Sequence, residues 1–468
     1  MESLSIADVL TVTGGSAIGS LSEAVDGVST DSRTVQSGDL FVALRGERFD
    51  GHEYLQQAAD RGAAAALVDR ELAGRSPLPL IRVEDTGKSL LRLAGFQRRR
   101  LRARVVAITG SNGKTTTKDL CAAALSAKYR VVSSPHSFNN FIGVPLTLFM
   151  ADSETEVIVL ELGSSAPGEI AVLAAVAEPD VVVITNVAPA HLEGFGTLER
   201  VLEEKGSILE HVREGGCAVL NADDDQCLVQ LQERAKCRVV TTGVRRRADY
   251  VATMPFTDLD RIAFHLNGVE KVRVPLLGCH NLYNSLTALA VASELGVPRN
   301  AAAASLRNFE GPPMRLKKHR RGSRLVIDDA YNANPGSMRA AFKTFASLAL
   351  PGRKVLVLGD MLELGPRSAE LHAEVGTELS CGSFDLVVVV GALAAHFLEG
   401  AVRHGLSEER MLRFRNAEEC ARSLPSHLLP DDAVLIKGSR AVGLEQVVQA
   451  ALAREPAAKK KRRVREAM

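Results

Sequence analysis

Gly110, Gly113, Lys114 and Thr115 stand in the run VVAITGSNGKTTTKDL, between an apolar stretch and an alanine-rich one. A strand that ends in glycine and flows into a helix presents main-chain N–H groups and a positive helix end to an anion. The glycines let the backbone come close, Lys114 adds a point charge, and the Thr115 hydroxyl can hold a divalent cation. With Ser111, Asn112 and Thr116 they form a candidate cradle for the phosphates of ATP. The spacing is shorter than G-x-x-x-x-G-K-[ST], because Ile108 stands where the first glycine would be. The loop alone does not separate a ligase from a motor or a kinase.

Other polar residues fall at the ends of apolar runs. Glu161 closes EVIVLELG, where a carboxylate is costly unless paired, and a metal ion would explain it. His191 follows PDVVVITNV, and taken alone it reads equally as a packed or loop histidine. Lys205, in LEEKGS, reads locally as a solvated helix lysine. It could join a metal site only if CO2 converted its amine to a carbamate. Asn139 and Asn140 precede a Gly-Val-Pro turn and either close that turn or contact phosphate or metal. Asn281 and Asn284 open an alanine-rich helix, where an amide can cap the helix or read a nucleobase edge. Arg315 precedes the strand-end pair Asp328 and Asp329. Lys437 and Arg440 flank a small Gly-Ser loop suited to phosphate or carboxylate.

These residues need strand-loop-helix units to position them. From Val105 onward the chain alternates all-apolar runs with helical stretches, as a parallel sheet buried on both faces requires. Before it, GDLFVAL and GAAAALVD read as strands. VEDTGKSLLRLAGFQRRRLRA reads as an amphipathic connecting helix with a basic outer face. NFEGPPMRLKKHRRGSR breaks the pattern near Pro313, after which RLVIDD, KVLVLG, LVVVV and AVLIK restart it. Three α/β domains are expected: 1–101, 102–313 (a doubly wound, mostly parallel sheet) and 314–468 (Rossmann-like).

The whole chain sets outer limits. Its 468 residues exceed one core. A net charge of +1, no Trp and 4% aromatic residues argue against a nucleic-acid-binding ATPase. Seven cysteines without C-x-x-C spacing point to reduced thiols, and no apolar run is long enough to span a bilayer. A cytoplasmic enzyme is expected. The run KKKRRVR, Lys459–Arg465, reads as a solvated tail.

In their order along the chain, the motifs resemble the Mur ligase family. The resemblance rests on DSRTVQSGDLFVALRGERFDGHEY, TGSNGKTTTKDL, FNNFIGVPLTL, ITNVAPAHLEGFGTLERVLEEKGSI, GCHNLYNSLTALA, DDAYNANPGSM, LGDMLELG and VLIKGSRAVGLEQVV. AHLEGFG and DDAYNANP point to the branch that joins D-alanyl-D-alanine to UDP-N-acetylmuramoyl-tripeptide. The neighbouring possibilities are another amide ligase of the superfamily or a folylpolyglutamate synthetase. The resemblance implies ATP-dependent amide-bond formation through an acyl phosphate, two Mg2+ ions and a carbamylated Lys205, in a monomer. It implies that Lys114 neutralises the γ-phosphate and that Thr115, Glu161, His191 and Lys205 hold metal. Asn281, Asn284, Arg315 and Asp329 would meet the nucleotide. Ser32, Arg33, Asp50, Gly51 and His52 would hold the UDP end. Asn139 or Asn140 would contact phosphate or metal, and Asn332, Asn334, Lys437 and Arg440 would lie near the dipeptide. Family members often carry Ala-Asn-His where this chain has Ser164, Ser165 and Ala166, a difference that bears on how the peptide is read.

Overall fold

The computed structural model of the chain describes residues 1–46, 49–71, 76–380, 382 and 384–453; the run Lys459–Arg465 lies outside them. Three larger sheets organise the described residues. The central one has nine strands, and third from one edge Arg104–Thr109 lies between Val157–Glu161 and Val181–Ile184. All three run parallel, with Val106 level with both Val159 and Val181. Val105, Val106, Ala107 and Ile108 are wholly enclosed, as strands covered by helices on both faces must be. The chain leaves Thr109 between neighbours that connect in opposite directions, which opens a crevice at the carboxyl ends of the strands.

The same central sheet carries an extension that the apolar-run pattern leaves out. Tyr250–Thr257, Ile262–Leu266 and Glu270–Val274 form an antiparallel meander on its edge. Here burial alternates along Ile262–Leu266, because only one face is covered. That face packs on Leu286 and Leu289 of the helix Cys279–Glu294.

A six-stranded sheet follows residue 316, parallel except at one edge. Asp329 ends the strand Arg324–Asp329 level with Lys437, which ends Ala433–Lys437. The basic run that the sequence places in a linker forms the antiparallel edge strand Lys317–Arg321. A charged edge strand discourages further pairing. The N-terminal residues build a five-stranded sheet, order 16–18, 80–82, 65–68, 39–42 and 27–29. No described helix is long and apolar enough to cross a membrane.

The connecting helix Thr86–Arg100 departs from its expected basic outer face. Arg98 points inward and is 1% exposed. It donates to the carbonyls of Ala177, Ala103 and Glu178 at 2.8, 3.2 and 3.1 Å, and contacts Asp180 at 3.3 Å. One apolar cluster runs from Leu4, Leu40 and Leu67 through Leu90 and Leu93 to Val105 and Leu160, so the first two sheets share a core. The C-terminal sheet packs around Phe345, Leu356 and Val389 on one face, where Leu277, Leu192 and Leu259 of the central part join the cluster, and around Val355, Val388 and Ile436 on the other.

Replacing Arg98 with Met leaves those carbonyls without a donor. Arg98→Met is therefore expected to lower the first urea unfolding transition by about 3 kcal/mol. A wild-type transition would show that the tie carries no stability.

Candidate active site

The phosphate loop can turn only with glycine at two places. Gly110 has φ +144° and Gly113 φ +82°. A Cβ on Gly110 would lie 1.9 Å from Thr185 Oγ1, and one on Gly113 would lie 2.6 Å from Asn284 Oδ1. The helix Lys114–Leu125 begins directly after the loop with no side-chain cap, so its first N–H groups are left for a ligand. Thr185 and Asn186, which sequence reasoning passed over, hold the loop in place. Thr185 Oγ1 donates to Asn112 O at 2.6 Å, and Asn186 Oδ1 accepts the Asn112 N–H at 3.1 Å. Their signal was available: both directly follow the buried strand Val181–Ile184.

The C-terminal sheet closes over this loop. Arg315 donates to Thr115 Oγ1 at 3.0 Å, and its guanidinium lies 4.3 Å from the Tyr331 ring centre. Asn334 caps the helix Pro335–Ser347 and donates to Asn112 Oδ1 at 2.9 Å. Lys437 pairs with Asp329 at 2.7 Å and donates to Asn332 O at 2.9 Å. Between the two faces lies a cavity of about 530 Å³. Ser111, Asn112, Gly113, Lys114, Thr116 and Glu161 line its central wall. Arg315, Asp329, Asn332, Asn334 and Lys437 line the opposite wall.

The cavity is rich in cations. Lys114 Nζ folds back on Gly110 O at 2.8 Å. Burial depresses its pKa, Glu161 opposes that shift and Arg315 reinforces it. Glu161 is 1% exposed. Its Oε1 accepts from Asn139 Nδ2 at 2.8 Å, and its Oε2 has no partner among the described residues. The Asn doublet thus divides its work. Asn139 faces Glu161 and both cavities, whereas Asn140 Oδ1 accepts the N–H groups of Ile142 and Gly143 and closes the turn. His191 has its backbone in the left-handed region, and its Nδ1 lies 2.5 Å from Glu363 Oε2. Burial, and then Lys114, hold its pKa below the ordinary value against the pull of Glu363.

Lys205 is not solvated. It is 1% exposed and has no hydrogen bond or ion pair among the described residues. Its neighbour Glu204 is engaged elsewhere, accepting the N–H groups of Gly168 and Ile170 at 2.6 and 2.8 Å. Burial and the nearby Lys114 bring the Lys205 pKa down to about 7. The residue lines neither cavity; it sits behind the wall.

At the far end of the cavity, Asn281 donates to Leu277 O at 2.7 Å and accepts from Asn284 Nδ2 at 2.9 Å. Asp223 and Tyr283 line the same end and were not anticipated. Burial alone would raise the Asp223 pKa. The N–H groups of Val244 and Arg245, the Tyr283 hydroxyl at 2.8 Å and the Arg246 N–H bring it below the ordinary value. Asp223 lies two residues past the strand Cys217–Asn221, again a strand-end position.

The five N-terminal residues line neither cavity. Ser32 donates to Gln57 Oε1 at 2.6 Å, and Arg33 pairs with Asp31. Asp50 meets Arg70 at 2.8 Å, and Gly51 lets its turn approach the Leu44 backbone. His52 departs from expectation. Its side chain is fully enclosed, with Nδ1 2.6 Å from Asp50 and Nε2 accepting the Asp69 N–H at 3.3 Å. Both ring nitrogens are used, so His52 shapes the turn and presents no atom to a ligand. Arg440 lies outside the main cavity as well, against Met314 and Glu445.

The donors suit Mg2+. No group of three or more His, Cys, Asp or Glu is arranged for a metal among the described residues. What is present is a hydroxyl, a carboxylate with an orphaned buried oxygen, and an imidazole beside a phosphate loop. Mg2+ commonly takes one or two carboxylates and completes its shell with substrate phosphates and water. A second cavity of about 460 Å³ adjoins the first, sharing Lys114, Asn139 and His191. Its far wall carries Ser164, whose enclosed hydroxyl has no partner among the described residues, and Ser165.

Family models match along the chain: the Mur ligase family catalytic domain at 24–91, the Mur ligase middle domain at 108–292 and the Mur ligase glutamate ligase domain at 314–440. The UDP-N-acetylmuramoyl-tripeptide–D-alanyl-D-alanine ligase of Bacillus subtilis (strain 168) is 37% identical over 91% of this chain and 93% of its own. The chain belongs to the Mur ligase family. Its fold is that of solved Mur ligases. MurF from Acinetobacter baumannii superposes with a TM-score of 0.88 at 31% identity, covering 97% of this chain and 99% of that one. MurF ligase from Thermotoga maritima in complex with ADP gives 0.80 at 30% identity, covering 92% and 97%.

Lys205 gives a pH-dependent expectation for this Mur ligase. Between its folded pKa of about 7 and the ordinary lysine value, the unfolded chain binds more protons, so stability rises with pH across that window. In CO2-free buffer, Lys205→Met should melt at a higher temperature than the parent near pH 7. The gap should close toward about pH 10. A variant less stable at neutral pH would contradict the buried, unpaired amine.

Proposed function

We propose that the protein joins D-alanyl-D-alanine to UDP-N-acetylmuramoyl-tripeptide at the expense of ATP, forming a peptidoglycan precursor for cell-wall synthesis. The observation that carries this reading is the closed cavity, in which the phosphate loop faces Arg315, Asp329 and Lys437 across a seam between sheets. The full-length similarity to ligases of that name supports the choice of substrates. We infer that it works as a cytoplasmic monomer.

ATP would lie along the main cavity, with its phosphates on Gly110–Thr116. The base would lie toward Asn281, Asn284 and the unanticipated Asp223 and Tyr283. The second cavity, beyond Lys114 and His191, has room for the tripeptide end, and Ser164 offers it an unused hydroxyl. A carboxylate oxygen of the tripeptide attacks the γ-phosphorus, and ADP leaves. The dipeptide amine then attacks the acyl carbon and loses a proton. Collapse of the tetrahedral intermediate expels phosphate, which carries away one carboxylate oxygen. Lys114 unfolds from Gly110 O to follow the charge on the transferring phosphoryl group, and Arg315 meets it from the other side. Such chemistry is mostly positioning and charge stabilisation. Closure by the C-terminal sheet keeps water from the acyl phosphate.

Thr115, Glu161 and His191 would hold Mg2+, which when bound neutralises phosphate charge. The Lys205 amine, unprotonated about half the time near pH 7, is suited to add CO2 and release a proton. The resulting carbamate would place a negative charge beside Lys114 and complete the donor set for two ions.

Mass spectrometry of reactions with ATP, Mg2+ and UDP-N-acetylmuramoyl-tripeptide is expected to show the pentapeptide, ADP and phosphate with D-alanyl-D-alanine, and little product with single amino acids. Preference for a single amino acid would overturn the substrate assignment. Lys114→Ala should lower kcat ~10²–10³-fold, as loss of one transition-state charge contact does elsewhere. Lys205→Ala should lose ligation and regain part of it with added short carboxylates; full activity without them would remove the carbamate from the mechanism.

A further inference from the structure

Glu363 belongs to the turn after the strand Lys354–Gly359, in a different sheet from the phosphate loop and 172 residues from His191. The turn is held firmly from its own side. His372, wholly enclosed, accepts the Met361 N–H at Nε2 (2.9 Å), and its Nδ1 lies 2.6 Å from Ser368 O. Its ring packs against Phe397, with centres 4.7 Å apart. Ser439 Oγ accepts the Leu362 N–H at 3.0 Å. From that base Glu363 reaches across the seam twice. Its Oε2 lies 2.5 Å from His191 Nδ1, and its carbonyl accepts the Glu193 N–H at 3.2 Å. Gly365 completes the contact: a Cβ there would lie 3.3 Å from Glu193 Cα.

Both partners are held in uncommon backbone conformations, φ +52° at His191 and φ +62° at Glu363. Side-chain-bearing residues stay in that region when the surroundings fix them, and such positions cluster at functional sites. A carboxylate that accepts the Nδ1–H of a histidine also selects the tautomer whose Nε2 carries the lone pair, and it fixes the ring plane. Here that carboxylate comes from the C-terminal sheet, whose apolar cluster also touches Leu192, the residue after His191. The chain reaches that unit through Met314 and Leu316, both left-handed at φ +57° and φ +51°, on either side of Arg315. Such a connection is suited to a hinge.

We propose that Glu363 is a positioning residue that orients His191 toward the cavity and makes that orientation conditional on closure of the C-terminal unit. The proposal rests on the reading of His191 as a metal ligand. It adds that the metal site is complete only when the seam is shut, so that a divalent ion and closure favour each other. Glu363 itself touches neither cavity, and its side chain is 60% exposed, so its replacement leaves the fold intact.

The test compares full-length wild type, Glu363→Ala and Glu363→Gln. Mn2+ binding is read by electron paramagnetic resonance with ADP present, and the radius of gyration by small-angle X-ray scattering under the same conditions. Glu363→Ala is expected to weaken Mn2+ binding ~10-fold, to enlarge the radius of gyration and to raise KM for Mg2+ more than it lowers kcat. Glu363→Gln, whose amide oxygen still accepts the Nδ1–H, should recover most of the Mn2+ affinity. Wild-type Mn2+ affinity in Glu363→Ala would overturn the proposal. So would weaker binding with an unchanged scattering profile, because it would separate metal binding from closure. Neither the Mn2+ titration nor the scattering uses ligation, so failure of the proposed reaction would be seen separately, in the kinetics of the wild-type enzyme.

Discussion

Cations gathered around a phosphate loop, Lys114 and Arg315 on the cavity wall and Lys205 enclosed behind it, are what the rest of this molecule is arranged around. Glu161 opposes the shift at Lys114, and Glu204 opposes it at Lys205. Burial disfavours each charged form, and each cation makes the next less favourable. A chain would not hold such a site for stability. The repulsion among these cations is relieved when a polyphosphate enters, and they stand where charge moves during phosphoryl transfer. The Oε2 of Glu161 and the amine of Lys205 have no hydrogen-bond partner among the described residues. Both are incomplete in the bare chain and become complete with a cation, or with CO2, in place.

The architecture explains how so unfavourable a cluster survives. Parallel strands covered on both faces bring Thr109 and Glu161 to one sheet edge, and the covering helices carry the enclosed lysines. The N-terminal and central sheets share one apolar core, tied by Arg98, so they offer a single rigid wall. The opposite wall has its own sheet and contributes Arg315, Asn334, Asp329 and Lys437 across a seam that is polar at the cavity and apolar at Leu277. Division of the site between two bodies lets substrates enter. It also lets the charge cluster tighten only when they are inside.

Much of this was legible in the sequence. The strands read directly because double-sided burial demands unbroken apolar runs such as VVVI. The phosphate loop read directly because its glycine and lysine spacing has few other uses. Glu161 stood out because a carboxylate at the end of such a run needs a reason. What was not legible depended on contacts between distant segments. The helix Leu198–Gly206 looks solvated at Glu204 and Lys205, yet Glu204 is taken up by another helix's N-terminus, and Lys205 is thereby left buried and alone. Arg98 follows the same rule: a basic face in sequence turned inward because carbonyls from three later residues lacked donors. His52 matched a motif for a ligand site, but one ring nitrogen meets Asp50 of its own turn and the other accepts the N–H of Asp69, 17 residues on. Asn139 and Asn140 differ by one residue of rotation, which spacing cannot resolve: Asn139 meets Glu161, and Asn140 closes the turn while also lining the second cavity. Glu363 could not be joined to His191 by any local pattern, because the two meet only after separate units have folded and docked.

The coupling between this cation cluster and a bound anion is tested most directly by counting protons when a polyphosphate binds. A non-hydrolysable ATP analogue would be titrated calorimetrically into the protein in CO2-free, metal-free buffers of differing ionisation enthalpy. The pH would be about 8, one unit above the Lys205 value of about 7. At that pH the depressed lysine is mostly neutral, and an incoming anion raises its pKa. The predicted result is a net uptake of protons on binding. Binding with no proton exchange, or with proton release, would contradict the account.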